Sequence, residues 1–252
     1  MKTTVVFGGG LGNQMFQYAF VLALRNKGHR VEVDTSIYNR YHSHNGYELE
    51  KVFGIKEPII CKNGSHLLMI RALYRLNLSP LVFIDGGGYH PEMLIAPKRF
   101  LYGYWQDKRY FSEIENHICQ VFTFKNIDEF NLSMAKEMKK CHSVSIHIRR
   151  GDYKQFGMPL LGVDYYRKAV ETIKGYVQTP VFYLFSDDTD EAVAIANQLD
   201  INFKVITHNS EEDSYKDMFL MTQCSHNIIA NSSFSWWGAY LNQNPEKIVI
   251  SR

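Results

Sequence analysis

The chain has 252 residues, 45% hydrophobic and 14% aromatic, enough for two ordinary domains with apolar cores and far from a disordered composition. A formal net charge of +2 excludes bulk affinity for nucleic acid or an anionic bilayer, so any positive patch is local. No run of about 18 apolar residues occurs, which excludes a transmembrane helix and leaves only peripheral contact with a membrane open.

The opening Lys2-Thr3-Thr4-Val5-Val6-Phe7 enters a strand at once, without a signal-peptide pattern. Strand 3–7 runs into the loop Gly8-Gly9-Gly10-Leu11-Gly12, then an apolar helix over 14–27 closed by Gly28, then a strand over 31–34. Residues 35–47 are polar and aromatic and read as surface loop. Beyond them the pattern predicts a helix at 65–77, strands at 81–84 and 100–105, and helices at 109–119 and 128–140. The domain boundary falls around 125–142, and we draw it to give domains 1–140 and 141–252.

From there the alternation is regular. Strands at 143–148, 180–185, 203–206, 227–230 and 247–250 are separated by helices at 163–174, 189–199, 212–223 and from 233 onward. Strands alternating with helices predict a parallel, doubly wound sheet in each half, so the fold class is α/β. Cys61, Cys119, Cys141 and Cys224 lack CxxC spacing and read as reduced thiols of a cytoplasmic protein.

Four segments could carry chemistry. In Val144-Ser145-Ile146-His147-Ile148-Arg149-Arg150-Gly151-Asp152 a strand ends in two adjacent arginines, and Gly151 permits a sharp turn. Ligands of open α/β sheets bind beyond the carboxyl ends of the strands, and two permanently charged planar forks there suit a diphosphate. Taken alone, an Arg-Arg pair is more often two solvated charges. The preceding strand, His147 and the following Gly-Asp favour function.

The loop Gly8 to Gly12, followed by Asn13 and Gln14, brings backbone N–H groups close to an anion or a sugar. A dinucleotide fingerprint with Asp34 as ribose acid is the competing reading, and with it an NAD(P)-dependent oxidoreductase. The spacing argues against it, because Asn13 occupies the third glycine position. Asp187, Asp188 and Asp190 follow a strand. Asp188 and Asp190 read as a helix cap and acidic first turn, whereas Asp187 could meet a purine edge.

Asn231-Ser232-Ser233-Phe234-Ser235-Trp236-Trp237 places small hydroxyls at the start of an aromatic helix, as a plain cap, as phosphate donors, or both. Phe100 to Gln106, with Trp105, could stack on a sugar, although half-buried strand is the default. His42-x-His44 lacks partners at metal spacing, and Cys224 with His226 lacks an acid to complete a triad.

Together, Gly10-Leu11-Gly12-Asn13-Gln14-Met15, Gly103-Tyr104-Trp105-Gln106, His147-Ile148-Arg149-Arg150-Gly151-Asp152 and Ser232 to Leu241 resemble the bacterial α-1,2-fucosyltransferases of glycosyltransferase family 11. The resemblance implies a GT-B-like fold of two Rossmann-like domains facing a cleft, the first on the acceptor side and the second binding the donor GDP-fucose. It implies inverting transfer of L-fucose to the 2-hydroxyl of a terminal β-galactose of an oligosaccharide, with no metal or other cofactor. Carried onto this chain, Arg149 holds the β-phosphate with Arg150 in support, and His147 faces guanine or ribose. Asp187 meets guanine, by analogy with more distant fucosyltransferases. Ser232, Ser233 and Phe234 line the diphosphate beside Gly10 and Gly12. Asn13, Gln14, Trp105 and Gln106 meet the acceptor, and Asn13 reaches the fucose or the attacking hydroxyl. Asp152 is either the base or the group orienting the arginines. Such members usually continue past Ile250-Ser251-Arg252, so a segment packing back across the cleft is expected to be missing. A non-catalytic nucleotide-sugar or glycan-binding protein stays open as the alternative.

Overall fold

The computed structural model describes residues 2–39, 45–57, 65–76 and 80–252, apart from the side chains of 65–69. His42, His44, Cys61 and part of the loop expected at 35–47 lie outside the described residues. The chain divides into two compact units, Met1–Asn126 and Ile127–Arg252.

The first unit contains β1 (Lys2–Val6), α1 (Leu11–Asn26), β2 (Arg30–Asp34), α2 (Leu49–Phe53), α3 (Ser65–Arg75), β3 (Val82–Ile84), α4 (Glu92–Ile95), β4 (Phe100–Tyr102) and α5 (Glu115–Val121). Its sheet has the order β2-β1-β4-β3, all parallel, with Val5 opposite Val33 on one side and Leu101 on the other. α1 is apolar nearly all round, as its Met15, Phe16, Ala19, Phe20, Val21 and Leu24 foretell, and it is buried accordingly. Val6, Ile70, Val82 and Phe100 close a small core against the sheet.

The second unit contains α6 (Glu129–Met138), β5 (Ser143–Ile148), α7 (Gly151–Gln155), α8 (Val163–Tyr176), β6 (Val181–Ser186), α9 (Thr189–Ala196), β7 (Phe203–Val205), α10 (Tyr215–Gln223), β8 (His226–Ile228), α11 (Ser233–Tyr240) and β9 (Val249–Ile250). The sheet order is β7-β6-β5-β8-β9, again all parallel. Central β5 is buried along its whole length because both faces are covered. Ile146 and Ile148 pack toward Tyr166, Val170 and Ile173 of α8. On the other side Tyr183 and Phe185 meet Leu220 and Met221 of α10 with Ala135 and Met138 of α6.

That last contact moves the boundary. α6 packs on α10 and belongs to the second unit, so the division falls at Asn126/Ile127 rather than at 140. The strand expected over 100–105 stops at Tyr102, because Gly103 (φ +158°) and Trp105 (φ +56°) leave the extended region. The helix expected at 109–119 breaks into two short 3-10 turns followed by α5. Among the described residues no helix is long and apolar enough to cross a membrane.

Candidate functional site

In the second unit the carboxyl end of β5 delivers Arg149 and Arg150 into α7, and Asp187, just past β6, anchors the turn. Asp187 Oδ1 accepts the Arg150 backbone N–H at 2.8 Å, and Oδ2 lies 3.2 Å from Arg149 Nε. A Cβ on Gly151 would stand 2.7 Å from Asp187 Oδ2, so only glycine lets the carboxylate come this close. Asp187 therefore spends both oxygens on the arginine turn. The carboxylate expected to meet guanine is thus placed on the arginine turn.

Arg149 is further held by Asp152, whose Oδ2 accepts from Nη2 at 2.7 Å, and it lies 5.5 Å over the Tyr153 ring. Two carboxylates and a ring thus fix one edge of the guanidinium. Among the described residues no hydrogen bond engages Nη1, which remains a donor for an incoming anion. Arg150 turns the other way. Its side chain is buried on the Leu161 carbonyl (2.6 Å), the Arg149 carbonyl (3.2 Å) and Glu191 (2.9 Å from Nε). That arrangement stiffens the loop and offers no second charge to a ligand.

His147 is fully interior. Burial, reinforced by the Arg149 charge, holds its imidazole down to about 3, so it is neutral at physiological pH. Its Nδ1 has no hydrogen-bond partner among the described residues, and its ring lies 5.9 Å from that of Phe234.

α11 begins next to this turn. Tyr153 donates its hydroxyl to the Asn231 carbonyl at 2.7 Å, which ties α7 to the segment that Ser232, Ser233 and Phe234 open. Ser232 Oγ caps the helix by accepting the Phe234 N–H at 3.3 Å. The hydroxyl cluster and the first turn of α11 therefore share one sheet edge with Arg149. Trp237 is core and Trp236 stacks on Tyr240 at 4.8 Å. Gly238 lets α11 approach α10, since a Cβ there would meet Met221 Cβ at 2.9 Å. Asp188 caps α9 through the Glu191 N–H, as its position before that helix foretold.

Sequence pattern alone did not single out Asp217, in the first turn of α10. Burial pushes its carboxyl up to about 7, and Asn209 donates to it at 2.8 Å. The same Asn209, with His208, also converges on Asn131. The signal was present: an acid between the inward-facing Tyr215 and Met218 at a helix start. Cys224 is buried with its thiol pushed up, and His226 accepts the Ile248 N–H, so neither forms a nucleophile–base pair.

In the first unit Gly10 caps α1 in an extended conformation, and Gly9 (φ +81°) sits so close to Asn13 that a Cβ would lie 2.5 Å from Asn13 Nδ2. Asn13 Oδ1 accepts from Gln106 Nε2 at 2.7 Å. These two amides, expected to act together on an acceptor, are brought together at the loop's mouth. Gly12 is buried in the first turn of α1.

Two expectations fail here. Gln14 is fully buried, donating to the Gly9 and Gly46 carbonyls (3.1 and 2.8 Å) and accepting the Glu48 N–H at 2.9 Å. It is a structural clamp, because its amide nitrogen and oxygen are both committed. Trp105 is also fully buried, stacked on Phe20 at 4.1 Å, so it is core and offers no sugar platform. Asp85 holds the segment there by accepting the Trp105 backbone N–H at 3.0 Å. Gln17, which no motif marked, bridges Gly8 N–H and the Gly103 carbonyl (3.2 and 2.8 Å) and so joins the glycine loop to the Trp105 segment. Asp34 is buried and accepts the Ser36 N–H, which removes it from any cofactor ribose.

Comparison with known proteins gives a concordant picture. The model of glycosyl transferase family 11 matches residues 87–251. The chain is 31% identical to an alpha-1,2-colitosyltransferase of Escherichia coli, over 96% of this chain and 88% of that protein. It is 32% identical to the O-antigen biosynthesis glycosyltransferase WbnK of Escherichia coli, over 96% and 91%. Similarity to galactoside alpha-(1,2)-fucosyltransferase 1 of Ateles belzebuth is 26%, covering 94% of this chain and 64% of that one. Among solved structures, fucosyltransferase NodZ from Bradyrhizobium superposes with a TM-score of 0.54 at 12% identity, covering 94% and 92%. A mutant of Arabidopsis thaliana FUT1 in complex with GDP gives 0.58 at 13%, covering 100% and 70%. The α/β fold, with its two parallel sheets, is GT-B-like.

Proposed function

The chain belongs to glycosyl transferase family 11 and is a glycosyltransferase with a nucleotide-sugar donor; we propose that it moves L-fucose from GDP-fucose to the 2-hydroxyl of a terminal β-galactose, with inversion. The donor is assigned to the second unit and the acceptor to the first. The observation that carries this reading is Arg149, clamped on one edge by Asp187 and Asp152 with Nη1 left to a ligand.

In such a transfer the acceptor hydroxyl oxygen forms a bond to fucose C1 as the bond from C1 to the β-phosphate oxygen breaks, and the hydroxyl proton is released to solvent. Negative charge accumulates on the departing GDP. A guanidinium fixed beforehand stabilises that charge more than it stabilises the bound donor. The N–H groups and hydroxyls of Ser232 and Ser233 add donors on the same edge, beside Phe234, whose own N–H is held by the Ser232 cap. Neutral His147 offers Nδ1 to the ribose or base. On this reading arginine and helix dipole supply the countercharge, and no metal takes part. Asp152 works as the orienting partner of Arg149, the contact it makes here.

The oxidoreductase reading loses its ribose acid with Asp34 turned inward. The binding-protein reading differs from the transferase in one measurable respect, turnover. Incubation with GDP-fucose and a panel of galactosides in EDTA, with products resolved by mass and linkage, tests the proposal. An α-1,2-fucosylated galactoside is expected. Donor binding without product would favour a binding protein, and transfer from GDP-colitose alone would reassign the sugar.

A further inference from the structure

The amino-terminal rim of the first unit's sheet, opposite the glycine-loop end of the same sheet, carries an unusual surface. The strand starts lie side by side across it. Leu81 O accepts the Phe100 N–H at 3.0 Å and Arg99 O accepts the Thr4 N–H at 2.7 Å, while Arg30 opens β2 at the far side. Four parallel strands set this rim at about 15 Å across. α3 packs against β3 and β4, and its end, Tyr74, Arg75 and Leu76, precedes the start of β3 in the chain. α4 ends at this rim, since His29 Nε2, one residue before β2, contacts the Leu94 carbonyl at 3.0 Å.

Large apolar side chains stand in solvent on this rim: Tyr74 is 60% exposed, Leu76 69%, Leu81 41% and Ile95 76%. Around them lie Arg30, Arg71, Arg75, Lys98 and Arg99, none of which forms an ion pair among the described residues. The nearby acids are already neutralised, Glu32 by Lys2 and Glu113 by Lys27. Glu92, one turn from Ile95 in the four-residue α4, lies beside His90 and, among the described residues, pairs with none of the five cations. Cations without acidic partners, ringing exposed apolar groups, complement one surface in particular, which offers negative headgroups above hydrocarbon.

We propose that this rim docks the chain on an anionic lipid bilayer, with Leu76, Leu81 and Ile95 entering the headgroup layer and the five cations pairing with lipid phosphates. All of these residues belong to the first unit and lie outside the transfer site, so the rim is independent of the donor reading.

Sedimentation of the full chain with vesicles tests it. Vesicles of phosphatidylglycerol and phosphatidylcholine at one to three should carry the protein down, and pure phosphatidylcholine should not. Binding should weaken in about 0.5 M salt, where the screening length contracts to about 4 Å. Replacing Arg71→Glu, Arg75→Glu and Arg99→Glu together should weaken partitioning at least about tenfold. Leu76→Ser with Ile95→Ser should weaken it independently, with the unfolding temperature of both variants near wild type. Equal binding to neutral and anionic vesicles, or variants that sediment like wild type, would overturn the proposal. So would a concentration-dependent dimer, seen by light scattering and lost in the variants, with no vesicle binding: that result would assign the rim to a second copy.

Discussion

Asp187 and Arg149 lie 3.2 Å apart, Oδ2 to Nε, and the same carboxylate takes the Arg150 backbone N–H at 2.8 Å. One acid from the end of β6 thereby sets both the direction of a charged side chain and the path of the backbone beyond β5. The cationic end of the sheet is built before any ligand arrives, which is what electrostatic stabilisation of a leaving group requires.

Asp187→Ala removes the acceptor for a part-buried N–H and frees the guanidinium. The expected cost is about 1–3 kcal/mol of stability and a marked loss of GDP affinity, measured by urea unfolding and calorimetry. Asp187→Asn keeps an oxygen for the Arg150 N–H. It should recover most of the stability while GDP binding remains weakened, because Arg149 has lost its charged anchor.

Gly151→Ala forces a methyl to within 2.7 Å of Asp187 Oδ2, so the turn must open. Turnover should fall with little change in global stability, because the strain is local to the α7 start. Gly238→Ala meets Met221 Cβ at 2.9 Å instead, inside the α10–α11 contact. There the effect should be on stability, about 1–3 kcal/mol as for other overpacked sites, read from thermal unfolding.

His147 gives a pH prediction with a definite sign. Its folded value is held down to about 3, against about 6.5 when exposed. Between those values the unfolded chain binds the extra proton, so the contribution is fully present above pH 6.5 and is lost as pH falls toward 3. A tenfold difference in proton affinity between the two states is worth about 1.4 kcal/mol, so the loss is on the order of a few kcal/mol. His147→Gln should flatten the stability curve between pH 6.5 and 4, as followed by denaturant midpoints.

Gln14→Ala and Trp105→Ala separate architecture from acceptor recognition. Trp105→Ala should cost about 3–5 kcal/mol, and Gln14→Ala should leave the Glu48 N–H unpaired at about 1–3 kcal/mol. Neither should raise the acceptor KM selectively. Gln106→Ala, which takes the amide donor away from Asn13 Oδ1 at the loop's mouth, should raise it with stability nearly unchanged.

The contrast between these residues shows what the sequence could tell. β5 and its arginines were legible because an apolar run that stops at Arg-Arg-Gly marks both a buried strand and its exposed end. The alternation of strands and helices from 143 onward was legible for the same reason. α2, α4 and α7 were not, because helices of four or five residues show no period. Trp105 and Gln14 stood in motifs and so suggested ligand contacts. Their side chains turn inward only because Trp105 adopts a left-handed φ pinned by Asp85, and because Gln14 is fixed by the distant Gly46 carbonyl and Glu48 N–H. Neither contact follows from local pattern. The contacts of Asp187 with Arg149 and Arg150 come from the end of the neighbouring strand, which its own segment does not announce. Asp217 is signalled only by its place between the inward-facing Tyr215 and Met218, which no motif accompanies.

The most direct test is the turnover of Arg149→Ala against wild type at saturating GDP-fucose and galactoside, in EDTA, with unfolding temperatures compared alongside. Turnover should fall about a hundred- to a thousand-fold in a protein that still melts like wild type. Near wild-type turnover in that variant would contradict the assignment of Arg149 to the departing diphosphate.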